Sequence, residues 1–128
     1  MKQKEEIKIL VVEDELLNAA ALKQELEVMG YKVFEIVTRG KTAIEKALSL
    51  KPDIILMDIY LANDINGIDA AREIQKKFAV PVLYISAYID NDTIEKSRET
   101  NSIGFIQKPF EITEVDIKIK DYFLSRAS

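Results

Sequence analysis

Asp53-Ile54-Ile55-Leu56-Met57-Asp58-Ile59 decides the fold. Ile54 to Met57 are apolar without interruption, the pattern of a strand buried on both faces of a sheet. The strand delivers a carboxylate, Asp58, to its end, where the loop Tyr60-Leu61-Ala62-Asn63-Asp64-Ile65-Asn66-Gly67 begins. A carboxylate at the mouth of an oily strand is costly unless something charged compensates it.

Working outward, four more strands and five helices are expected around this one. Ile7-Lys8-Ile9-Leu10-Val11-Val12 is a second β-branched run, followed directly by Glu13-Asp14-Glu15. Ala19, Leu22, Leu26 and Met29 then recur at helical spacing, and Gly30 is placed to stop that helix in a left-handed conformation. Lys32 to Val37 reads as a strand, and Ala43, Ile44, Ala47 and Leu48 mark a helix ending before Pro52. A helix from about Gly67 turns Ile68, Ala71, Ile74 and Phe78 inward, and Val82-Leu83-Tyr84-Ile85-Ser86 is a fourth strand. Asp90 to Asn101 should be helical with Ile94 its one strong core anchor, which makes it the most loosely held helix. Gly104-Phe105-Ile106-Gln107 is a short fifth strand closed by Lys108-Pro109-Phe110. In the last segment Ile112, Val115, Ile119, Tyr122 and Phe123 fit a helix face, which leaves Ile117 toward solvent.

Strands alternating with helices imply a parallel sheet covered on both faces, connected by right-handed crossovers. The expectation is one α/β domain over residues 1–128 with its core at about 7–124. Ligands of such folds bind beyond the carboxyl ends of the strands, where the strand order reverses.

Composition narrows the chemistry. The 128 residues are 48% hydrophobic, enough for one sizeable core, and the net charge of −4 gives no support to direct nucleic-acid binding. No apolar run approaches the roughly 18 residues of a membrane span. The charged start Met1-Lys2-Gln3-Lys4-Glu5-Glu6 lacks a signal-peptide core, so a cytoplasmic location is expected. Cysteine and histidine are both absent, which removes disulfides, thiolate nucleophiles, imidazole bases and most zinc chemistry. The work falls to carboxylates, hydroxyls, lysine and arginine.

Those groups collect at one edge. The first strand delivers Glu13 and Asp14, the third Asp58, the fourth Ser86 and the fifth Lys108. Carboxylates held together repel, and one takes up a proton unless a cation intervenes. An all-oxygen cluster suits a hard ion such as Mg²⁺. Lys108 and Ser86 are suited instead to gripping the oxygens of a transferred phosphoryl group, with Asp58 as its nucleophilic acceptor.

Val11-Val12-Glu13-Asp14, Ile55-Leu56-Met57-Asp58, Ile85-Ser86-Ala87 and Gly104-Phe105-Ile106-Gln107-Lys108-Pro109-Phe110 resemble the receiver domain of two-component response regulators. The resemblance covers essentially the whole chain. It implies a five-stranded parallel sheet of order 2-1-3-4-5 flanked by five helices. By the same resemblance, Asp58 accepts phosphate from a phosphohistidine on a sensor histidine kinase or phosphotransfer protein. Glu13, Asp14, Asp58 and the backbone carbonyl of Tyr60 place Mg²⁺. Ser86 is the switch hydroxyl, Lys108 the phosphate-contacting lysine, and Phe105 the aromatic that changes rotamer. The Lys108–Pro109 bond is usually cis in the family. Tyr60 and Tyr88, two residues beyond Asp58 and Ser86, flank the path of water to the acyl phosphate. Output is expected through the face of the fourth helix, fifth strand and fifth helix, to an output domain or as a homodimer. With no histidine the chain cannot be the phosphohistidine donor, and the resemblance implies a phosphoacceptor signalling domain that promotes only its own phosphorylation and dephosphorylation rather than an enzyme.

Departures and rivals are specific. Glu13 stands where Asp is commoner, Ala62 where proline is frequent, and the loop before Gly67 reads as one residue longer. Gly40-Lys41-Thr42 resembles the tail of a P-loop, but position 35 is Glu where that motif needs glycine. A flavodoxin-like cofactor domain would need a hydroxyl- and glycine-rich loop where Glu13-Asp14-Glu15 stand. A haloacid-dehalogenase-like phosphotransferase would want a second Asp at position 60, which is Tyr. A degenerate receiver acting only by protein contact is the remaining alternative. The chain ends soon after the last helix, so either a stand-alone receiver acting by protein contact or a part of a longer regulator or hybrid kinase is expected.

Overall fold

The computed structural model describes residues 3–61 and 65–125. Within them, strands β1 (Lys8–Val12), β2 (Lys32–Val37), β3 (Ile54–Asp58), β4 (Val82–Ser86) and β5 (Ser102–Gln107) form one parallel sheet. Its order is 2-1-3-4-5, as expected. The helices are α1 (Leu16–Val28), α2 (Gly40–Leu50), α3 (Gly67–Gln75), α4 (Asn91–Ser97) and α5 (Ile112–Ser125). Among the described residues no helix is long and apolar enough to cross a membrane.

The apolar runs divide by alternation between the two faces. Leu10, Val12, Ile55, Met57, Val82 and Tyr84 meet α2 and α3 through Ala43, Ala47, Ile68, Ala71 and Ile74. Ile9, Val11, Ile54, Leu56, Leu83 and Ile85 meet α1 and α5 through Ala19, Leu22, Leu26, Val115 and Ile119. Every residue of β3 is buried, which is why that strand carries no polar alternation. Each fully buried Ile or Leu there is worth roughly 1.5–3 kcal/mol, so the strand end is held rigidly.

Several local expectations hold. Gly30 ends α1 with φ +103°, and Gly40-Lys41-Thr42 is simply the first turn of α2. Lys108–Pro109 is cis. Ile117 faces outward at 55% exposure. Ala62 and its loop neighbours, together with Met1 and Lys2, lie outside the described residues.

α4 differs. It covers only Asn91–Ser97 instead of running from Asp90 to Asn101, and its buried residues are Thr93 and Ser97 rather than Ile94. Asp90 caps it instead, accepting the Thr93 N–H at 2.8 Å. Phe78 packs against the core from beyond the end of α3, not from the helix itself. β5 begins earlier than expected, because its start is irregular. Val82 pairs with Ser102 and Leu83 with Gly104, so Ile103 is a surplus residue and Gly104 takes φ +139°.

One long-range tie was not visible in the sequence. Asp116 of α5 is buried and accepts a hydrogen bond from the Tyr31 hydroxyl. Lys4 and Lys120 reach the same carboxylate at 3.2 and 3.1 Å. Lys4, in a 3₁₀ turn before β1, also donates to the Met29 carbonyl at 3.2 Å. The turn, the start of β2 and α5 are thereby clasped together.

Candidate functional site

The strand order reverses between β1 and β3, and the polar groups collect beyond their carboxyl ends. β1 carries Glu13 out of the core, where its N–H donates to the Val37 carbonyl at 3.0 Å. β3 ends on Asp58, and the following loop is drawn back by Gly67, whose N–H donates to the Ile59 carbonyl at 2.7 Å. A Cβ at Gly67 would lie 2.1 Å from the Asp58 carbonyl oxygen, so this close approach requires glycine. Lys108 is placed by its own N–H, which donates to the Ser86 carbonyl at 2.9 Å.

The side chains then converge. Lys108 Nζ donates to Glu13 Oε1 at 2.6 Å and to Asp58 Oδ2 at 3.2 Å. Glu13 Oε2 accepts the Glu15 N–H at 3.1 Å, and Asp58 Oδ1 accepts the Tyr60 N–H at 3.3 Å. One carboxylate oxygen from each of Glu13, Asp14 and Asp58 lies within 4.8 Å of the others. Glu13 is 5% exposed and Asp58 6%, with Asp14 half-buried.

Burial and crowding set the charges. Burial, then the neighbouring Glu13 carboxyl, pushes the Asp58 carboxyl up to about 7, against the pull of Lys108. Glu13 is also opposed by burial, but its bonds to Lys108 and the Glu15 N–H outweigh that and hold it below the usual range. Lys108 is raised, since its bond to Glu13 and the charge of Asp58 exceed the cost of its partial burial. The two inner carboxyls and the lysine thus form one unit in which Asp58 is the group that gives up its charge most readily.

Ser86 is fully buried and its hydroxyl is bonded within its own loop. It donates to the Tyr88 carbonyl at 2.8 Å and accepts the Tyr88 N–H at 3.1 Å. Phe105 stacks on Tyr84 with centroids 5.7 Å apart and packs on the α2–α3 side of the sheet. Tyr88 stands 63% exposed and Tyr60 48% exposed. A cleft of about 480 Å³ opens beside the cluster, bounded by Asn18, Leu22 and Glu25 of α1 and by Pro109 and Phe110.

Two residues of this neighbourhood escaped sequence reasoning. Thr93 Oγ1 lies 3.1 Å from the Tyr60 hydroxyl, and Thr100 Oγ1 lies 2.8 Å from the Tyr84 hydroxyl. Both threonines lie in a stretch without a strong apolar period, and that polar inner face was the available signal.

A buried acidic cluster and a lysine at the edge of a 2-1-3-4-5 sheet define a class that the comparisons identify. The family model for the response regulator receiver domain matches residues 9–120, and the chain belongs to that family. It is 32% identical over 108 residues to the transcriptional regulatory protein PdtaR of Mycobacterium tuberculosis, covering 84% of this chain and 52% of that protein. It is 34% identical over 128 residues to the transcriptional regulatory protein ResD of Bacillus subtilis, covering 100% of this chain and 52% of that one. The chain therefore spans about half the length of these relatives. Among solved structures, the response regulator domain of Thermotoga maritima CheB superposes with a TM-score of 0.76 at 30% identity, covering 94% of each chain.

Proposed function

We propose that Asp58 is a phosphoacceptor and that the chain is a phosphorylation-driven signalling domain rather than an enzyme acting on other substrates. The observation that carries the reading is the buried Asp58 carboxylate, 3.2 Å from Lys108 Nζ and within the three-carboxylate cluster. A carboxylate oxygen of Asp58 attacks the phosphorus of a phosphohistidine, the P–N bond breaks, and the imidazole leaves with the electron pair. The donor belongs to a sensor histidine kinase or phosphotransfer protein, because this chain has no histidine. The cleft beside α1 gives such a side chain a way in.

The donor set fits a hard divalent cation, since three carboxylates offer oxygens within 4.8 Å of one another. Glu13, Asp14, Asp58 and the backbone carbonyl of Tyr60 would hold Mg²⁺. The ion would neutralise charge on the entering phosphoryl group. Lys108 neutralises phosphoryl oxygens from the other side, and Ser86 gives up the Tyr88 carbonyl to donate to them. The added charge of about −1.5 to −2 draws both inward and shifts an existing equilibrium. Phe105 then moves into the space that Ser86 vacates, and the face of α4, β5 and α5 changes, with Ile117 and Tyr122 as contacts for an output domain or a second copy. The cytoplasm is the compartment this reading requires.

Intact-mass measurement with acetyl phosphate and Mg²⁺ tests it. One adduct of phosphoryl mass is expected, absent in Asp58→Asn. No adduct in the wild type, or an adduct that persists in the variant, defeats the reading.

A further inference from the structure

The buried face of α4 is made of small hydroxyl side chains. Its buried residues are Thr93 and Ser97, and neither brings more than one methyl group to the core. At its start Thr93 meets the Tyr60 hydroxyl, and just beyond its end Thr100 meets the Tyr84 hydroxyl. Tyr60 is also the residue whose N–H reaches the Asp58 carboxylate. One residue thus touches Asp58 with its backbone and the first turn of α4 with its side chain. Thr93 lies at a stiff point of that turn, because Asp90 caps its N–H at 2.8 Å.

From this geometry we infer that Tyr60 is a positioning residue that couples the state of Asp58 to α4 through the Tyr60–Thr93 hydroxyl pair. This route is separate from Ser86 and Phe105, and it rests on Asp58 being the phosphoacceptor. At 3.3 Å the Tyr60 N–H contact is longer than a well-formed hydrogen bond. It tightens or breaks as the charge and bulk on Asp58 change, and the ring moves with its backbone. Ser86 by contrast spends its hydroxyl on Tyr88 in its own loop. A coupling of this kind is a bias on a two-state element, and the two sites bias each other equally. One neutral hydrogen bond changes such an equilibrium roughly fivefold.

The test is hydrogen exchange of the α4 amides on the full chain, with and without acetyl phosphate and Mg²⁺, with phosphoryl uptake read by intact mass in the same samples. Thr93→Val removes the hydroxyl at nearly constant shape, and Thr93→Ser keeps it. In the wild type, α4 exchange should change roughly fivefold on phosphorylation. Thr93→Val should still take up the phosphoryl group, yet its phosphorylated molecules should lose most of that change. Thr93→Ser should restore it; Tyr60→Phe, compared per phosphorylated molecule whatever its own uptake, should lose the same share of the α4 change, and combining it with Thr93→Val should add nothing. If Thr93→Val does not fold, Tyr60→Phe, at a half-exposed ring, carries the same comparison. A Thr93→Val or Tyr60→Phe protein whose α4 loosens equally in both states, keeping the wild-type ratio, overturns the inference, as does a Thr93→Ser protein that behaves like the valine variant. A wild type that gains no phosphoryl mass overturns this inference together with the phosphoacceptor reading, and the mass spectrum alone identifies that case.

Discussion

Asp58 should weaken the folded protein when no cation is present, and Asp58→Asn should therefore strengthen it. In the fold the Asp58 carboxyl is raised from its ordinary 3.8 to about 7 by burial and by Glu13. A group whose acid form is favoured by folding leaves stability intact below 3.8, erodes it as pH rises toward about 7, and holds the loss above that. At ~1.4 kcal/mol per pH unit across that interval, the ceiling is about 4 kcal/mol. Movement of the partly exposed Lys108 and entry of water into the cleft bring the expected gap at pH above 7 to about 1–2 kcal/mol. The assay is urea unfolding with a chelator at about pH 5.5 and about pH 8, comparing the wild type with Asp58→Asn. The variant should be the more stable at the higher pH, and the gap should shrink at the lower one. Adding Mg²⁺ should close it from the wild-type side only. A gap that does not vary with pH, or a wild type more stable than the variant at high pH without metal, would refute the electrostatic account of the site.

Two further outcomes are expected. Gly67→Ala would place a Cβ 2.1 Å from the Asp58 carbonyl and 2.8 Å from Met57 Cγ. It should cost about 3 kcal/mol or more in unfolding free energy, and a loss below about 1 kcal/mol would mean that the loop yields easily. Asp116→Asn removes the charge from the clasp to Tyr31, Lys120 and Lys4, at an expected cost of about 2 kcal/mol near neutral pH. Burial opposes the Asp116 carboxylate, but those three bonds outweigh it and lower its folded value below 3.8. The contribution is therefore complete above 3.8 and disappears as pH falls through the folded value, so wild type and variant should converge in acid. Denaturant curves at neutral and strongly acidic pH check this; a constant difference would point to lost packing instead.

The strands and the site were legible because their signals are local. Ile54 to Met57 can be little but a doubly buried strand, and each polar group at the edge follows its own apolar run. Topology then brings Glu13, Asp58 and Lys108 together, since parallel strands point their ends the same way. What the sequence hid was carried by partners far apart in the chain. Tyr60 and Thr93 are separated by 33 positions, and Tyr31 and Asp116 by 85. Asp116 sits on the inner face of α5 beside Val115 and Ile119, where a carboxylate reads as a solvent residue until its three partners are known. α4 was misjudged for a related reason. Apolar periodicity nominated Ile94, whereas the helix turns Thr93 and Ser97 inward, where Thr93 meets the Tyr60 hydroxyl and Ser97 donates to the Ile94 carbonyl.

The surplus residue at the start of β5 has a consequence for direction. Ile103 packs on the α1–α5 side, and the Gly104 that follows also approaches Lys118 of α5, so two successive positions face one way. Because side chains alternate along a strand, this double step sends Phe105 to the opposite side, against Tyr84. In an unbroken ladder Phe105 would instead lie beside Ile85 and turn toward α1 and α5. One added residue, two positions upstream, therefore selects the side of the sheet on which that ring packs.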